Sequence, residues 1–308
     1  MEAALDPIVR WMPPVLALGL SPLMLGIIHR TKALFGGRRG APLFQVYYDL
    51  WKLVHKGAVY SRTTSWLFRA GPIIGLAAVL LCLFVVPMGG VPAPVAFTGD
   101  LILLVGLLGL MRFVTVLAAL DTGSSFEGMG ASREVQFAAL AEPALLLILA
   151  GLARLTHHLS LSEIFDGLTA AHWSQLGPAL ALMMIALMVV VLAENCRIPV
   201  DDPATHLELT MIHEVMVLDH GGPDFAFIQY GAALKLWVLG ILSVNLLLPA
   251  FPVNPWLGLL AGLGGLFGVA VLVGVVESTM ARLRMLVVPQ LLIGAGALAA
   301  VALIFLLK

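Results

Sequence analysis

The residues with the clearest chemical potential are four charged side chains that lie within or at the end of long apolar runs. Arg112, Glu142 and Lys235 lie inside such runs, and Glu194 closes another. A charge in the middle of a bilayer costs at least about 2.5–3.5 kcal/mol, so it normally faces protein or trapped water and is paired. Two interpretations stay open. The four residues form a proton relay through groups with shifted pKa values and water, or they are ion pairs that lock helices together. Glu142 and Glu194 favour the relay, because each is flanked by an apolar helix without a basic neighbour in the sequence.

A second set of titratable residues forms the segment Glu194–Asp224, ENCRIPVDDPATHLELTMIHEVMVLDHGGPD, between two apolar runs. His206, His213 and His220 in this segment can titrate near neutral pH. It also holds seven of the chain's 18 acidic residues, namely Glu194, Asp201, Asp202, Glu208, Glu214, Asp219 and Asp224. In a chain that is 60% hydrophobic and only 11% charged, such a cluster must lie where water reaches it. The segment is therefore expected at a membrane surface.

The histidines and cysteines do not have the spacing of a metal site. His206 and His213 are seven residues apart, and Val217 stands where a zinc-protease motif would place a second histidine after His213. The chain has two cysteines, Cys82 and Cys196, which make neither a disulfide framework nor a metal site. We expect no metal or cofactor in this chain, so any redox centres would belong to other subunits. A basic face suited to nucleic acid is not recognisable either.

The elements that must position these residues are membrane-spanning helices. The chain has a mean hydropathy of +1.02, and apolar runs of about 20 residues indicate spans that must be helical because lipid leaves no partner for free backbone groups. We count eight, which predicts an all-α membrane protein forming one integral domain over residues 1–308. The predicted spans are Trp11–His29, Trp66–Met88, Leu101–Leu120, Phe137–His157, Leu176–Ala193, Phe227–Pro249, Trp256–Val276 and Met285–Leu307.

Basic residues outside the spans predict the orientation. The connection from His29 to Arg69 holds eight Lys or Arg residues, and alternate connections add Arg133, Arg197, Arg282 and Arg284. The other side holds three, namely Arg10, Arg154 and Lys308. The positive-inside rule makes the rich side cytoplasmic and places both termini outside.

Amphipathic helices and loops on the predicted cytoplasmic side suggest a surface for docking. Pro42–Lys56 and a helix beginning at Asp202–Pro203 are expected to lie along that surface. Asp121–Gln136, rich in Gly and Ser, is interpreted as a flexible connector, a docking loop for a soluble partner, or both. The candidate docking residues are Arg38, Arg39, Glu127, Arg133, Arg197, Asp202, His206 and His213.

Three segments, taken in order, resemble one known family. AENCRIPVDDPATHLELTMIHE (Ala193–Glu214) resembles the signature loop of the complex I subunit 1 family, in which A-E-x-x-R-x-P-x-D precedes an acidic helix. SSFEGMGASREVQFAALAEPALLL (Ser124–Leu147) is similar to the third-to-fourth span segment, and Gly37–Pro42 followed by Gln45 is similar to the first cytoplasmic loop. QVYYDLWKLVHK and the acidic segment look most like the membrane subunit of group 4 [NiFe] hydrogenases, of the formate hydrogenlyase subunit 4 or hydrogenase-4 component C type.

This resemblance implies a membrane subunit that is not catalytic by itself. It would anchor an iron–sulfur small subunit and a NiFe large subunit at the cytoplasmic membrane of a bacterium or archaeon. It would adjoin an antiporter-like membrane subunit and contribute to proton or sodium movement. The resemblance also implies that certain acidic positions link the interface to the membrane interior, namely Glu142, Glu194, Asp201, Glu208 and Glu214.

Two alternatives stay open. The first is a quinone reductase subunit of the complex I type, with a chamber near the first loop. Gly37–Gly40 reads GRRG and lacks the longer G-P-N-R-x-G pattern of that family, which argues against a quinone pocket. The second is an independent secondary transporter, which is expected to have two related halves and interrupted helices. No such symmetry is recognisable in the sequence.

Overall fold

The computed structural model describes residues 7–201, 211–248 and 254–307, where the regular structure is α-helix apart from one antiparallel bridge between Met88 and Val91. The predicted all-α class is confirmed. The helices are α1 (Pro7–Phe35), α2 (Gln45–Val54), α3 (Trp66–Val85), α4 (Asp100–Asp121), α5 (Ser125–Thr156), α6 (Leu161–Gly167), α7 (Ala170–Glu194), α8 (His213–Met216), α9 (Gly222–Leu247), α10 (Pro255–Thr279) and α11 (Val288–Leu306).

Eight of these helices are long and apolar enough to cross a membrane, as the sequence predicts: α1, α3, α4, α5, α7, α9, α10 and α11. The chain is thus a multi-pass membrane protein. Several spans are longer than the apolar runs that indicated them. The apolar run ends at His29, for example, whereas α1 continues to Phe35. Hydropathy marks the part of a helix that lies in hydrocarbon, and a helix can continue beyond it into water.

Helix starts follow local signals in the sequence. Ser65 precedes α3 and accepts a hydrogen bond from the backbone N–H of Leu67 at 3.2 Å. Asn254 likewise accepts a hydrogen bond from the backbone N–H of Trp256 at the start of α10. The first residue of α10 is Pro255, at a position where the helix needs no N–H donor. These caps satisfy donors that a helix end leaves free.

The bundle has two ends. One, called the α2 end here, carries α2 and α8 and the last turns of α1, α4, α7 and α10. Lys32 of α1 and Glu277 of α10 form an ion pair there, with Nζ and Oε2 2.8 Å apart. At the opposite end, a Cβ added to Gly258 would lie 1.9 Å from the carbonyl oxygen of Gly89, so the two backbones meet at a contact that only glycine permits.

The segment Asp121–Gln136 is not a flexible connector. Asp121 ends α4, only residues 122–124 separate α4 from α5, and residues 125–136 are the first part of α5. Gly130 faces α8 so closely that a Cβ would lie 2.3 Å from Cγ1 of Val215. The glycines that suggested a loop therefore allow two helices to pack closely together.

The two predicted surface helices differ in outcome. The first is present as α2, with Val46 buried and with shorter bounds than Pro42–Lys56. The second was predicted to begin at Asp202–Pro203, and its first part, residues 202–210, lies outside the described residues. Its described part is not one continuous helix, because α8 covers only His213–Met216. Met211, Ile212 and Val215 are buried, so this part packs into the protein and does not lie on its surface.

Candidate functional site

Arg112 of α4 lies at the centre of a buried cluster of charges. Its guanidinium forms ion pairs with Glu134 and Glu142 of α5 and with Glu194 of α7, and the contact from Nε to Oε1 of Glu134 measures 3.1 Å. The ammonium of Lys235 on α9 lies 2.8 Å from Oε2 of Glu194. One guanidinium can reach three carboxylates because it presents five N–H donors in a planar fork.

The helices position these groups by periodicity and by their ends. Glu134 and Glu142 are eight residues apart on α5, which is about two turns or about 12 Å, and the Arg112 side chain contacts both. Glu194 is the last residue of α7, and Lys235 is near the middle of α9. The four charges predicted to be buried are therefore brought together in one place.

The cluster contains an unequal number of charges when all its groups are ionised. Three carboxylates face the two cations Arg112 and Lys235, which leaves one negative charge. The side chain of Glu194 is 3% exposed, whereas that of Glu142 is 37% exposed. Low-dielectric surroundings disfavour an uncompensated charge of this kind. Glu142 is the carboxylate through which it opens to the outside of the isolated chain.

A cavity of about 260 Å³ opens between this cluster and the α2 end. It is bounded by α1, α2, α8, α9 and the chain on either side of α8. The titratable groups lining it are His29, Asp49, Cys196, Arg197, Asp201, His213 and Glu214.

A smaller cavity of about 50 Å³ shares part of its lining with the larger one and is also lined by Arg112, Glu134, Glu194 and Lys235. Cys196 and His213 line both cavities. Burial raises the pKa of the Cys196 thiol well above its ordinary value, so this group stays protonated at neutral pH. His213 is the other titratable residue that lines both cavities.

A second ion network borders the larger cavity. Glu277 of α10 is 5% exposed and pairs with Lys32 at 2.8 Å and with Arg197 at 3.4 Å. Arg197 is buried, and its predicted docking role is not supported because its guanidinium is held inside the protein. Glu277 was missed in the sequence, although it directly follows the predicted span that ends at Val276. The argument from burial that selected Glu194 at a span end applies equally to Glu277.

Asp201 organises the backbone before α8. One of its carboxylate oxygens accepts hydrogen bonds from the N–H groups of Ile212 at 3.1 Å and His213 at 3.3 Å. The other pairs with Arg282 at 2.7 Å. Asp201 is 2% exposed, so it holds the segment that carries His213 and Glu214 against the bundle while it lines the cavity.

The other predicted docking residues differ in their exposure. Arg38 and Arg39 are exposed at the α2 end, as docking requires. Glu127 is fully buried and accepts a hydrogen bond from the N–H of Asp219, so its side chain does not reach a partner. Arg133 is half-buried and donates to the carbonyl of Met211. Two docking candidates, Asp202 and His206, and one proton-path candidate, Glu208, lie outside the described residues.

In the sequence Glu134 fell within the predicted connector Asp121–Gln136 and was not singled out as a site residue, and the structure makes it a partner of Arg112. Helical spacing could have identified Glu134, because it lies eight residues before Glu142. That spacing places the two side chains near each other only if the helix already includes Glu134, whereas the predicted span began at Phe137. Within the described residues, no group of three or more His, Cys, Asp or Glu side chains is arranged to hold a metal ion.

Eight spans around a buried charge cluster, with a cavity leading from it to one end, define an integral membrane protein of the complex I subunit 1 type. A family model described as NADH dehydrogenase matches residues 11–308. The chain belongs to this family.

Similar proteins include membrane components of hydrogenases. The chain is 34% identical to hydrogenase-4 component C of Escherichia coli (strain K12), over 94% of this chain and 93% of that protein. It is 30% identical to formate hydrogenlyase subunit 4 of the same organism, over 88% and 89%. It is 27% identical to an NADH-quinone oxidoreductase subunit of Rubrobacter xylanophilus, over 73% and 68%.

The fold also matches a solved structure of an archaeal respiratory membrane complex, the membrane-bound sulfane sulfur reductase. The TM-score is 0.84 at 23% identity, covering 97% of this chain and 98% of the matched chain. This likeness shows the fold. The family model and the relatives confirm the resemblance to the complex I subunit 1 family.

Proposed function

We propose that the chain is the membrane subunit of a hydrogenase complex of the hydrogenase-4 or formate hydrogenlyase type, which couples formate oxidation to hydrogen evolution. In this proposal it anchors an iron–sulfur small subunit and a NiFe large subunit at its α2 end. Those partners carry the metal centres, and this chain conducts protons between the anchored arm and the membrane interior. The similarity to the two Escherichia coli proteins supports the type of complex.

The observation that carries the coupling role is a continuous series of titratable side chains. Asp49 and Glu214 line the larger cavity, and His213 lines both cavities. The Arg112 cluster lines the inner cavity, and its Glu142 is partly exposed at the far side of the cluster. Water in the two cavities would complete hydrogen-bonded contacts between these groups.

The partner at Glu142 is proposed to be the antiporter-like membrane subunit. A carboxylate that is 37% exposed on a span is unfavourable against lipid. A neighbouring membrane protein that supplies a polar group or water at this position would remove that cost. Proton or sodium movement would then continue in the neighbour.

The experiment compares Glu194→Gln and Glu214→Gln in the intact complex. Each variant keeps the size of the side chain and removes a titrating carboxylate. We expect subunit assembly to persist, while proton movement and the activity coupled to it fall. Glu163→Gln is the matched control, because this exposed residue lies in α6 at the opposite end. Loss of the peripheral subunits from Glu194→Gln or Glu214→Gln would instead make the residue structural and remove it from the path.

The cellular location is proposed from the same resemblance and from the basic residues. The α2 end faces the cytoplasm of a bacterium or archaeon, and both termini lie outside. Cysteine introduced at Arg38 should react with a membrane-impermeant thiol reagent in inside-out vesicles only. Reaction in right-side-out vesicles would reverse the orientation.

A second candidate function is supported by the cavity itself. The cavity of about 260 Å³ between α1, α2 and α9 has a volume suited to a small ring-shaped ligand. In addition, one relative is a subunit of an NADH-quinone oxidoreductase. A quinone reductase subunit would lose activity with inhibitors that compete for a quinone site. Insensitivity of the complex, together with unaltered activity in quinone-depleted membranes, would exclude this candidate.

A further inference from the structure

Helix α2 has two apolar faces, and only one of them is used within the chain. Val46 is buried and Leu50 and Leu53 are half-buried against the bundle. On the opposite side, residues at spacings of four, three and four along the helix form a single stripe. We call it the aromatic stripe, and it consists of Phe44, Tyr48, Trp51 and His55.

The aromatic stripe is exposed. Phe44 is 53%, Tyr48 62% and Trp51 71% accessible. The rings of Trp51 and His55 lie against each other, with centroids 4.4 Å apart, so the stripe forms one continuous surface. Large contiguous apolar areas are uncommon on surfaces that face water, so another molecule is expected to cover this one.

Contacts to α1 fix the position of α2 along the length of the bundle. The Tyr47 hydroxyl donates to the carbonyl of Gly19 at 2.6 Å, and Gly26 packs directly on the carbonyl of Leu43. At 1.5 Å per residue, Gly19 lies about 24 Å and Gly26 about 13 Å from the end of α1 at Phe35. The helix is about 43 Å long and exceeds a hydrocarbon core of about 30 Å by about 13 Å. If this excess lies at the α2 end, Gly26 and the start of α2 are at the boundary.

Contacts to α9 agree with this depth. Val46 and Asp49 line the same cavity as Ile228 and Ala232 of α9. Ile228 is six residues after the start of that helix at Gly222, about 9 Å inside the bundle. Aromatic rings are favoured at such an interface, where one part of a ring lies in hydrocarbon and the other in the headgroup layer.

The charges beside the aromatic stripe favour a negatively charged lipid. Lys52 follows Trp51, Lys56 follows His55, and both lysines are exposed along one flank of the stripe. From His29 to Arg69 the chain has eight Lys or Arg residues and a single acid, Asp49. Basic residues within a Debye length of an anionic membrane surface attract its headgroups.

We propose that the aromatic stripe and its two lysines bind anionic phospholipids of the adjoining leaflet. The rings lie among the upper acyl chains and the glycerol backbone, and the Lys52 and Lys56 ammonium groups contact the phosphates. This site differs from the charge cluster and does not depend on proton movement through it.

The test measures quenching of Trp51 by brominated lipids in the intact complex reconstituted into vesicles. The contribution of Trp51 is the difference between the wild type and Trp51→Phe, so tryptophans of other subunits cancel. At equal bromine content, brominated phosphatidylglycerol should quench Trp51 more strongly than brominated phosphatidylcholine. Each lysine near the surface is expected to contribute about fivefold to the local enrichment. The preference should therefore disappear in Lys52→Gln/Lys56→Gln.

Trp256→Phe provides the matched control, because Trp256 is 49% exposed at the other end of the bundle. The quenching assigned to Trp256, which is the difference between the wild type and Trp256→Phe, should be equal for the two lipids. If the double lysine variant does not assemble, about 1 M salt applied to the wild type should reduce the preference by screening. Equal quenching of Trp51 by both lipids would overturn the proposal, because it would leave no headgroup selection. Absence of quenching by either lipid, with Trp256 still quenched, would also overturn it and assign the stripe to a protein subunit.

Discussion

Lys235 in the middle of α9 and Glu194 at the end of α7 come together, with Nζ and Oε2 2.8 Å apart, and the same oxygen also contacts the Arg112 guanidinium. Two cations thus share one carboxylate oxygen, while Glu134 and Glu142 compete for the remaining donors of Arg112. Every carboxylate of the cluster therefore contacts Arg112, and Glu194 also contacts Lys235. Removing one charge is expected to alter the protonation of the whole group.

Arg112→Met should lower the free energy of unfolding by about 3–5 kcal/mol, because Glu134 and Glu194 lose a buried partner. Thermal unfolding of the purified protein in detergent measures this. Arg112→Lys retains the charge but not the planar fork, so it should recover only part of the loss. A stability equal to that of the wild type in Arg112→Met would mean that the carboxylates are already neutral in the folded protein.

Glu277→Gln should cost a similar amount, about 3–5 kcal/mol, because Arg197 is then buried without its carboxylate. The same unfolding measurement applies. The comparison is with Glu163→Gln, whose pair with His158 is at the surface, with side chains 60% and 50% exposed. An exposed pair contributes about 0–1 kcal/mol. Equal effects of the two substitutions would contradict the burial of the Glu277 network.

Gly130→Ala should destabilise the contact between α5 and α8 by about 1–3 kcal/mol, because the new Cβ would lie 2.3 Å from Cγ1 of Val215 and 2.8 Å from the carbonyl of Ile212. Val215→Ala in the same chain should restore part of the loss. Gly128→Ala is the control in the same helix, since no neighbour lies within 4 Å of its Cβ. That substitution should be neutral or stabilising by up to about 1 kcal/mol.

His220 should make the stability depend on pH. It is 7% exposed and stacks on Phe68, with ring centroids 3.9 Å apart, and burial lowers the pKa of His220 to about 4 from its ordinary 6.5. Between these values the unfolded chain binds a proton that the folded chain does not, so stability falls as the pH falls from 6.5 toward 4. The loss reaches about 3 kcal/mol near pH 4.

Unfolding of the wild type and of His220→Phe from pH 4 to pH 7.5 measures this contribution. Phenylalanine retains the stacking on Phe68 and cannot titrate, so the variant should lose stability less steeply in acid. Parallel curves for the two proteins would show that other groups produce the acid sensitivity.

The number of spans and their helical nature could be predicted from the sequence, because lipid imposes apolar runs of a fixed length and requires paired backbone groups. The burial of Arg112, Glu194 and Lys235 followed from the same argument, whereas the side chain of Glu142 is 37% exposed. The family could be predicted from its sequence motifs, such as those in Ala193–Glu214 and Ser124–Leu147. Helix ends were less certain: the glycines before Gln136 suggested a loop, since their use in close packing against Val215 is not visible from local sequence.

Tertiary structure alone decided which charges meet. Glu134, Glu142 and Glu194 converge on Arg112, and Glu277 lies between Lys32 and Arg197, because spans distant in the chain pack side by side. Composition and periodicity indicate whether a residue faces water, lipid or protein, because this environment depends largely on the residues nearby in the sequence. Ion pairs depend on the relative rotation and depth of separate helices, which are determined by packing of the whole bundle.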